Sequence, residues 1–325
     1  MSEPTQSSAL SIRNLSVSYG TKRLMGKTRP AVQDISFDVA HGQTVGLVGE
    51  SGSGKSTIVK AILGLATASN GEILLNGADI THAAGKARRP IVSQLRAVFQ
   101  DPFASLSPYQ TIGETIVEGL RGQRLDRAAM WDRAGEALES VGLTREDLNR
   151  LPHQFSGGQR QRIGIARALA SSPQIVLMDE PVSALDLSAQ AHVINLLADL
   201  RDTQRYAFLF VGHDLSVVRF LCQQVVVLYR GMVMEVGNAE LVTTKPRNPY
   251  TVALVNAAPI PDPIEQAKRR EARITIGTQG KRPVSGSGDG CPFAPRCPNA
   301  TDLCTKVRPV LRQVDDRQVA CHHPV

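Results

Sequence analysis

The chain has 325 residues, 42% of them hydrophobic and 21% charged, with a formal net charge of +7. That length suits about two domains, and no uninterrupted apolar run is long enough to cross a bilayer, Ala207 to Tyr229 being broken by His213, Asp214 and Arg219. From Lys268 onward 11 Lys/Arg stand against 5 Asp/Glu, so the rest is nearly neutral, which argues against a nucleic-acid footprint. The basic end reads as a solvated segment, with contact to acidic lipid or RNA as the alternative. The first eight residues show neither a basic nor an apolar signal region, so a cytoplasmic location is expected.

Residues 1–9 read as disordered. Leu10 to Tyr19 alternates like a strand, a basic proline-containing loop runs from Thr21 to Pro30, and Ala31 to Val39 alternates again. His41-Gly42-Gln43 then turns the chain into Thr44–Val48, a short apolar strand. Gly49-Glu50-Ser51-Gly52-Ser53-Gly54-Lys55-Ser56-Thr57 follows and satisfies G-x-x-x-x-G-K-[ST]. A helix-compatible apolar pattern continues from Ile58 to Leu65. Strand, glycine-rich turn and helix together present backbone N–H groups and a positive helix end to an anion. Lys55 is expected along the β- and γ-phosphates of a nucleotide, and the Ser56 hydroxyl on Mg²⁺.

Asn70-Gly71 and Asn76-Gly77 bracket Glu72–Leu75 as hairpin chemistry. Leu95 to Phe99 is a further apolar strand that ends at Gln100. From Ser105 to about Ser171 the period becomes helical, with Arg127–Val141 as one helix and Phe155-Ser156-Gly157-Gly158-Gln159 opening another through Leu169. Ile175–Met178 reads as a buried central strand ending in Asp179-Glu180. A helix over Ser188–Leu200, a strand over Ala207–Val211 and then His213 follow. Val225–Leu228 and Met232–Val236 flank Arg230-Gly231 as a hairpin. The fold class is therefore α/β: a phosphate-loop core, a helical insert over about 103–171 and a β-rich N-terminal part. The expected division is a nucleotide-binding domain over 10–240 and an extension over 241–325, with residues 259–290 as a linker rich in Pro, Gly, Lys and Arg.

Phosphoryl transfer to water needs one carboxylate for Mg²⁺ and another to polarise the attacking water, and Asp179 and Glu180 are placed for those roles. With Phe155-Ser156-Gly157-Gly158-Gln159 upstream, the chain resembles the ATP-binding-cassette ATPases. The resemblance implies that Tyr19 stacks on adenine, that Gln100 senses Mg²⁺ and water, that Ser183-Ala184-Leu185-Asp186 crosses a dimer seam, and that His213 contacts the γ-phosphate. Each has a plainer reading: Tyr19 as an edge-strand residue, Gln100 as a strand cap, His213 as a buried histidine. Ser156, Gly157 and Gly158 form a second anion site at a helix start, which in this family completes the opposing subunit's ATP site. Phe155 stands where leucine is usual, and Gly212 where a hydroxyl residue is often found. Neither departure removes a ligand.

Cys222 stands alone in an apolar run and reads as core. Cys291, Cys297, Cys304 and Cys321 crowd into the last 35 residues, without the C-x₂-C pairs of zinc knuckles. On spacing alone an iron–sulfur cluster, zinc and no metal all stay open. Pro246–Thr251 and Gly290–Cys297 look like the C-terminal extension of oligopeptide and dipeptide importer ATPases, and Gln100–Pro108 and Glu180–Asp186 are similar to the same group, especially its second, F-type ATPase. That resemblance implies a [4Fe-4S] cluster on the four cysteines, and ATP with Mg²⁺ at the phosphate loop. It also implies a heterodimer with a related ATPase, two membrane permeases, an extracytoplasmic peptide-binding protein in the full complex, and a peripheral place on the cytoplasmic face of the membrane. The expected function is the ATP-hydrolysing motor of a peptide importer. The alternatives are an importer of nickel chelates or other solutes, or a soluble cassette protein.

Overall fold

In the computed structural model, residues 8–19, 30–101, 106–258 and 290–325 are described. Residues 1–7 of the start, most of the Thr21–Pro30 loop, residues 102–105 of the Gln100–Pro108 motif and nearly all of the expected linker lie outside them, whereas Ser8 and Ala9, expected to be disordered, open the first strand, where Ala9 is buried.

Two sheets make the frame. The first is antiparallel and contains β1 (Ser8–Val17), β2 (Val32–Ala40), β4 (Asn70–Leu75) and β5 (Ala78–Asp79), in the order β2-β1-β4-β5. Asn76, at φ 49°, and Gly77 form the turn between β4 and β5, as the Asn-Gly pair predicts. The second sheet contains β3 (Thr44–Val48), β6 (Leu95–Val98), β7 (Ile175–Asp179), β8 (Ala207–Gly212), β9 (Gln224–Tyr229), β10 (Met232–Asn238), β11 (Arg312–Val314) and β12 (Arg317–Val319). Its order is β11-β12-β10-β9-β3-β8-β7-β6, parallel from β9 to β6 and antiparallel beyond. β7 is fully apolar through Met178 but stands one strand from the edge, with only β6 outside it. It is buried because both faces are covered, not because it is central.

The apolar strands feed two cores by alternation. Val45, Leu47, Ile175, Leu177, Leu209, Val211, Val226 and Leu228 face the antiparallel sheet and α1 (Lys55–Ile62). Val48, Val176, Met178, Phe208, Phe210, Val225 and Val227 face the helical side. Of the helices, α2 (Arg89–Gln94) packs Ile91 against the first core, whereas α3 (Ile112–Leu120), α4 (Arg127–Ser140), α5 (Gly157–Leu169), α6 (Leu187–Gln204), α7 (Leu215–Leu221), α8 (Ala239–Thr244) and α9 (Pro249–Ala257) lie on the helical side. Cys222 is buried in the same core beside Gly46, as its apolar setting predicts.

The described residues beyond Asn238 are more ordered than their thin hydrophobic pattern suggests. Gln318 and Val319 of β12 pair with Val236 and Glu235 of β10, so the C-terminal hairpin extends the main sheet. Glu235 is fully buried at that junction. Its carboxylate accepts the backbone N–H groups of Arg247 (2.9 Å) and Asn248 (3.0 Å), and Arg317, itself buried, lies 3.6 Å away. Asn248 donates its amide to the carbonyls of Met234 and Ala320, both at 3.0 Å. These polar bonds replace the apolar run that sequence reading looks for. A short helix, α10 (Asp302–Lys306), completes the region.

Candidate nucleotide site

Strand order decides what meets at the sheet's C-terminal edge. Because β3, β8, β7 and β6 are parallel neighbours, the phosphate loop, His213, Asp179-Glu180 and Gln100 emerge side by side, in the crevice where open α/β sheets bind ligands.

The phosphate loop runs from the end of β3 into α1. Gly49 has φ 153°, and a Cβ there would lie 2.2 Å from the Leu228 carbonyl oxygen, so no side chain fits. Gly54 caps α1 at φ 106°. The buried Lys55 ammonium donates to the carbonyls of Gly49 (2.7 Å) and Glu50 (3.0 Å), with Ser53 Oγ at 3.5 Å. Burial lowers its pKa, and the charges of Glu180 and Asp179 act in the opposite sense. Ser51 and Gly52 are exposed, Ser53 is buried, and Ser56 is exposed in the first turn of α1. The Tyr19 phenol donates to Thr57 Oγ1 at 3.5 Å while the side chain stays exposed, so an apolar ring face is open beside the loop.

Across the crevice, Asp179 ends β7, and its pKa is raised by burial and then by Glu180, against the pull of Lys55 and Lys60. Glu180 sits at φ 50°, a left-handed conformation that a residue with a side chain adopts at a cost of roughly 1–3 kcal/mol. Its N–H donates to the Val211 carbonyl (3.0 Å), and its own carbonyl accepts the Ser183 hydroxyl (3.0 Å). Glu180 Oε2 lies 3.4 Å from Nδ1 of the exposed His213. The two face one cavity, which Gln190 and Asp214 also line. Neither of those two was expected from sequence, and only their nearness to Asp186 and His213 along the chain hints at them. Gln100 is exposed just beyond β6.

The second anion site is a helix start. Ser156 caps α5: its Oγ accepts from Gln159 N–H (3.3 Å), and Gln159 Oε1 accepts from Ser156 N–H (2.9 Å), a reciprocal capping box. Asp186 caps α6 by accepting from Ala189 N–H at 2.8 Å. A Cβ on Gly158 would stand 2.9 Å from Ala189 Cβ, so the glycine lets the two helix starts approach. In this single chain Ser156 and Gln159 satisfy each other, and Gly157 lies against Leu185, not against the phosphate loop.

Cys291, Cys297, Cys304 and Cys321 are free thiols that line one cavity, with Phe293, His322 and His323. Among the described residues no group of three or more His, Cys, Asp or Glu side chains is set to hold a metal ion, so the four share a cavity without forming a closed chelate. Burial raises the Cys291 and Cys321 thiols and pushes Cys297 up to about 11, and neighbouring cysteines add to each rise. Backbone N–H groups oppose this: those of Phe293 and Ala294 at Cys291, Asn299 at Cys297 and His323 at Cys321, the last at 3.3 Å from sulfur. Donors aimed at sulfur favour the thiolate, but burial outweighs them and keeps these thiols toward the neutral form.

Residues 32–183 match the ABC transporter family, and residues 234–304 match the oligopeptide/dipeptide transporter C-terminal region. A Brucella ovis protein named as a peptide import ATP-binding protein is 45% identical over 311 residues, spanning 95% of this chain and 96% of its own. The chain belongs to the ATP-binding subunits of the oligopeptide/dipeptide ABC transporters. A Sinorhizobium fredii protein named as a peptide ABC transporter ATP-binding protein is 41% identical over 295 residues, spanning 90% of this chain and 82% of its own. Among solved structures, the cassette MJ0796, a dimer in a post-hydrolysis state bound to ADP and Pi, superposes with a TM-score of 0.61 at 28% identity, covering 71% of this chain and 98% of that one. An ABC transporter component from Clostridium perfringens shares the fold, with a TM-score of 0.66 at 24% identity over 82% of this chain and 97% of its own. This ATPase thus hydrolyses ATP and uses Mg²⁺. Among its described residues no helix is long and apolar enough to cross a membrane.

Proposed function

We propose that this subunit is the motor of a peptide importer, and that it works as half of a two-chain ATP clamp against a related, non-identical ATPase. The observation that supports the clamp is the separation within one chain: Lys55, Asp179, Glu180 and His213 share one crevice, while the Ser156–Gln159 helix start is capped by its own residues. A partner's equivalent helix start would complete the crevice, and Ser156, Gly157, Gly158 and Asp186 would serve the partner's site.

In this reading Tyr19 stacks on the base. The loop N–H groups of Gly49–Thr57 other than that of Glu50, and the Lys55 ammonium, take the phosphates, Lys55 exchanging loop carbonyls for phosphate oxygens. Ser56, Gln100 and Asp179 hold Mg²⁺, which supplies charge neutralisation on the phosphates. Glu180 orients the attacking water, and His213 steadies its carboxylate and the γ-phosphate. ATP binding closes the pair, and hydrolysis reopens it. Gln100 and the helical insert pass the motion to two membrane permeases on the cytoplasmic face, fed from outside by a peptide-binding protein. The four-cysteine cavity holds a [4Fe-4S] cluster, with zinc as the alternative occupant. Its role is to fold the C-terminal region.

Anaerobic purification from membranes in detergent tests the assignment. Recovery with two polytopic permeases and a second ATPase is expected, with peptide-stimulated ATP hydrolysis. Recovery of the chain alone from the soluble fraction would count against it. A brown chromophore lost in Cys297→Ser tests the cluster, and a colourless zinc-containing protein would decide for the alternative.

A further inference from the structure

The phosphate loop is held from outside by the cysteine region, and the contact converges on one residue. The Glu50 carboxylate accepts both terminal nitrogens of Arg296, Nη1 at 2.9 Å and Nη2 at 3.0 Å. The Glu50 N–H donates to the phenol oxygen of Tyr250 at 3.1 Å. Its carbonyl accepts both Lys55 Nζ (3.0 Å) and Ser53 N–H (3.1 Å). All three polar groups of Glu50 are therefore engaged, two of them by residues beyond the hairpin β9–β10.

Those outer partners are themselves anchored. Tyr250 is fully buried, with its ring centroid 4.5 Å from that of Tyr229 and 5.4 Å from that of Phe293. Arg296 stands over Phe293, its guanidinium carbon 5.6 Å from the ring centroid, and reaches Tyr229 Oη at 3.4 Å. Successive turns, Ala294 N–H to Cys291 O at 3.1 Å and Cys297 N–H to Ala294 O at 3.3 Å, carry Arg296 between two cysteines. Phe293 also lines the four-thiol cavity. A bidentate fork fixes the plane of a carboxylate as well as its position. The loop's shape at Glu50, and with it the Lys55 ammonium, thus depends on the conformation of residues 291–297.

We propose that Arg296 and Tyr250 are positioning residues of the nucleotide site, which hold the phosphate loop in its binding shape through Glu50 so that an ordered cysteine region raises ATP affinity. This rests on the nucleotide-site reading above. Both act through Glu50 and are given no nucleotide contact of their own. Arg296 acts on the carboxylate of Glu50, and Tyr250 on its N–H, which is thereby withheld from phosphate.

The test is ATP affinity of the full chain, measured with a fluorescent ATP analogue, alongside KM and kcat in the assembled complex. Arg296 and Glu50 are half exposed, so the pair is worth about 1 kcal/mol at most, and Arg296→Ala should weaken affinity about two- to fivefold. KM should rise while kcat at saturating ATP changes less than about twofold. Arg296→Lys, which keeps the charge but not the fork, should recover only part of the loss. Glu50→Ala should weaken affinity to the same degree as Arg296→Ala, and the double variant should be no worse than either alone. Tyr250→Phe, which keeps the ring and removes the acceptor, should also weaken binding. Unchanged affinity in Arg296→Ala or in Tyr250→Phe, or additive losses in the Arg296/Glu50 cycle, would overturn the proposal. Lys55→Ala separates the two claims: if it abolishes binding while Arg296→Ala does not matter, only the positioning role falls. If Lys55→Ala binds ATP normally, the nucleotide site itself has been misplaced.

Discussion

Glu180 carries a positive φ on a residue with a side chain, at the end of the strand next to the one that delivers His213. The ladder bond to Val211 and the Ser183 hydroxyl hold it there, and the carboxylate is thereby directed into the cavity with His213. Glu180→Gln keeps the shape and removes the proposed base, so ATP binding should persist while turnover falls roughly 10²-fold or more. Full hydrolysis in that variant would falsify the base assignment. Glycine is needed elsewhere for space. At Gly46 a Cβ would lie 2.9 Å from Val218 Cγ1 and 3.0 Å from Cys222 Sγ. Gly46→Ala should therefore cost about 1–3 kcal/mol in urea unfolding, by overpacking.

At the scale of elements, α5 is the instructive case. Its capping box makes Ser156 a structural residue in the single chain, and the proposed dimer would make it a ligand as well. Loss of the cap in Ser156→Ala should cost about 1 kcal/mol of stability. If the helix start also grips the partner's nucleotide, ATP-driven dimerisation should fall much further than that figure explains. Sedimentation in the presence of ATP would show it, and an unaltered dimer fraction would leave Ser156 as a cap alone. The Gly158–Ala189 approach brings the starts of α5 and α6 against each other, and Gly158→Ala should push them apart.

For the whole molecule, the last strands of the main sheet are contributed by the C-terminal region. Glu235 is the bolt: fully buried, bonded to two backbone N–H groups and next to Arg317. Glu235→Ala leaves two buried N–H donors without their acceptor, while Arg317 keeps Asp316 and the carbonyls of Leu241 and Lys245, and should destabilise the fold by about 2–4 kcal/mol. Protease should then cut residues 290–325 before the rest of the chain. Equal resistance to wild type would show that the hairpin is held by something other than this junction.

The local chemistry could be read without coordinates. The phosphate loop, the apolar strands with Asp179-Glu180 and His213 at their ends, the Asn-Gly turn and the helix opened by Ser156 each depend on residues within a few positions of one another. Turn geometry, capping and alternation are properties of such short stretches. What needed the tertiary structure involves pairs far apart in the chain. The strand order that sets Lys55 beside Glu180, the edgeward place of β7, the sheet extension at Glu235 and the meeting of Glu50 with Arg296 leave no periodic signal, because they rest on strand pairing or on polar contacts between distant segments that only folding brings together.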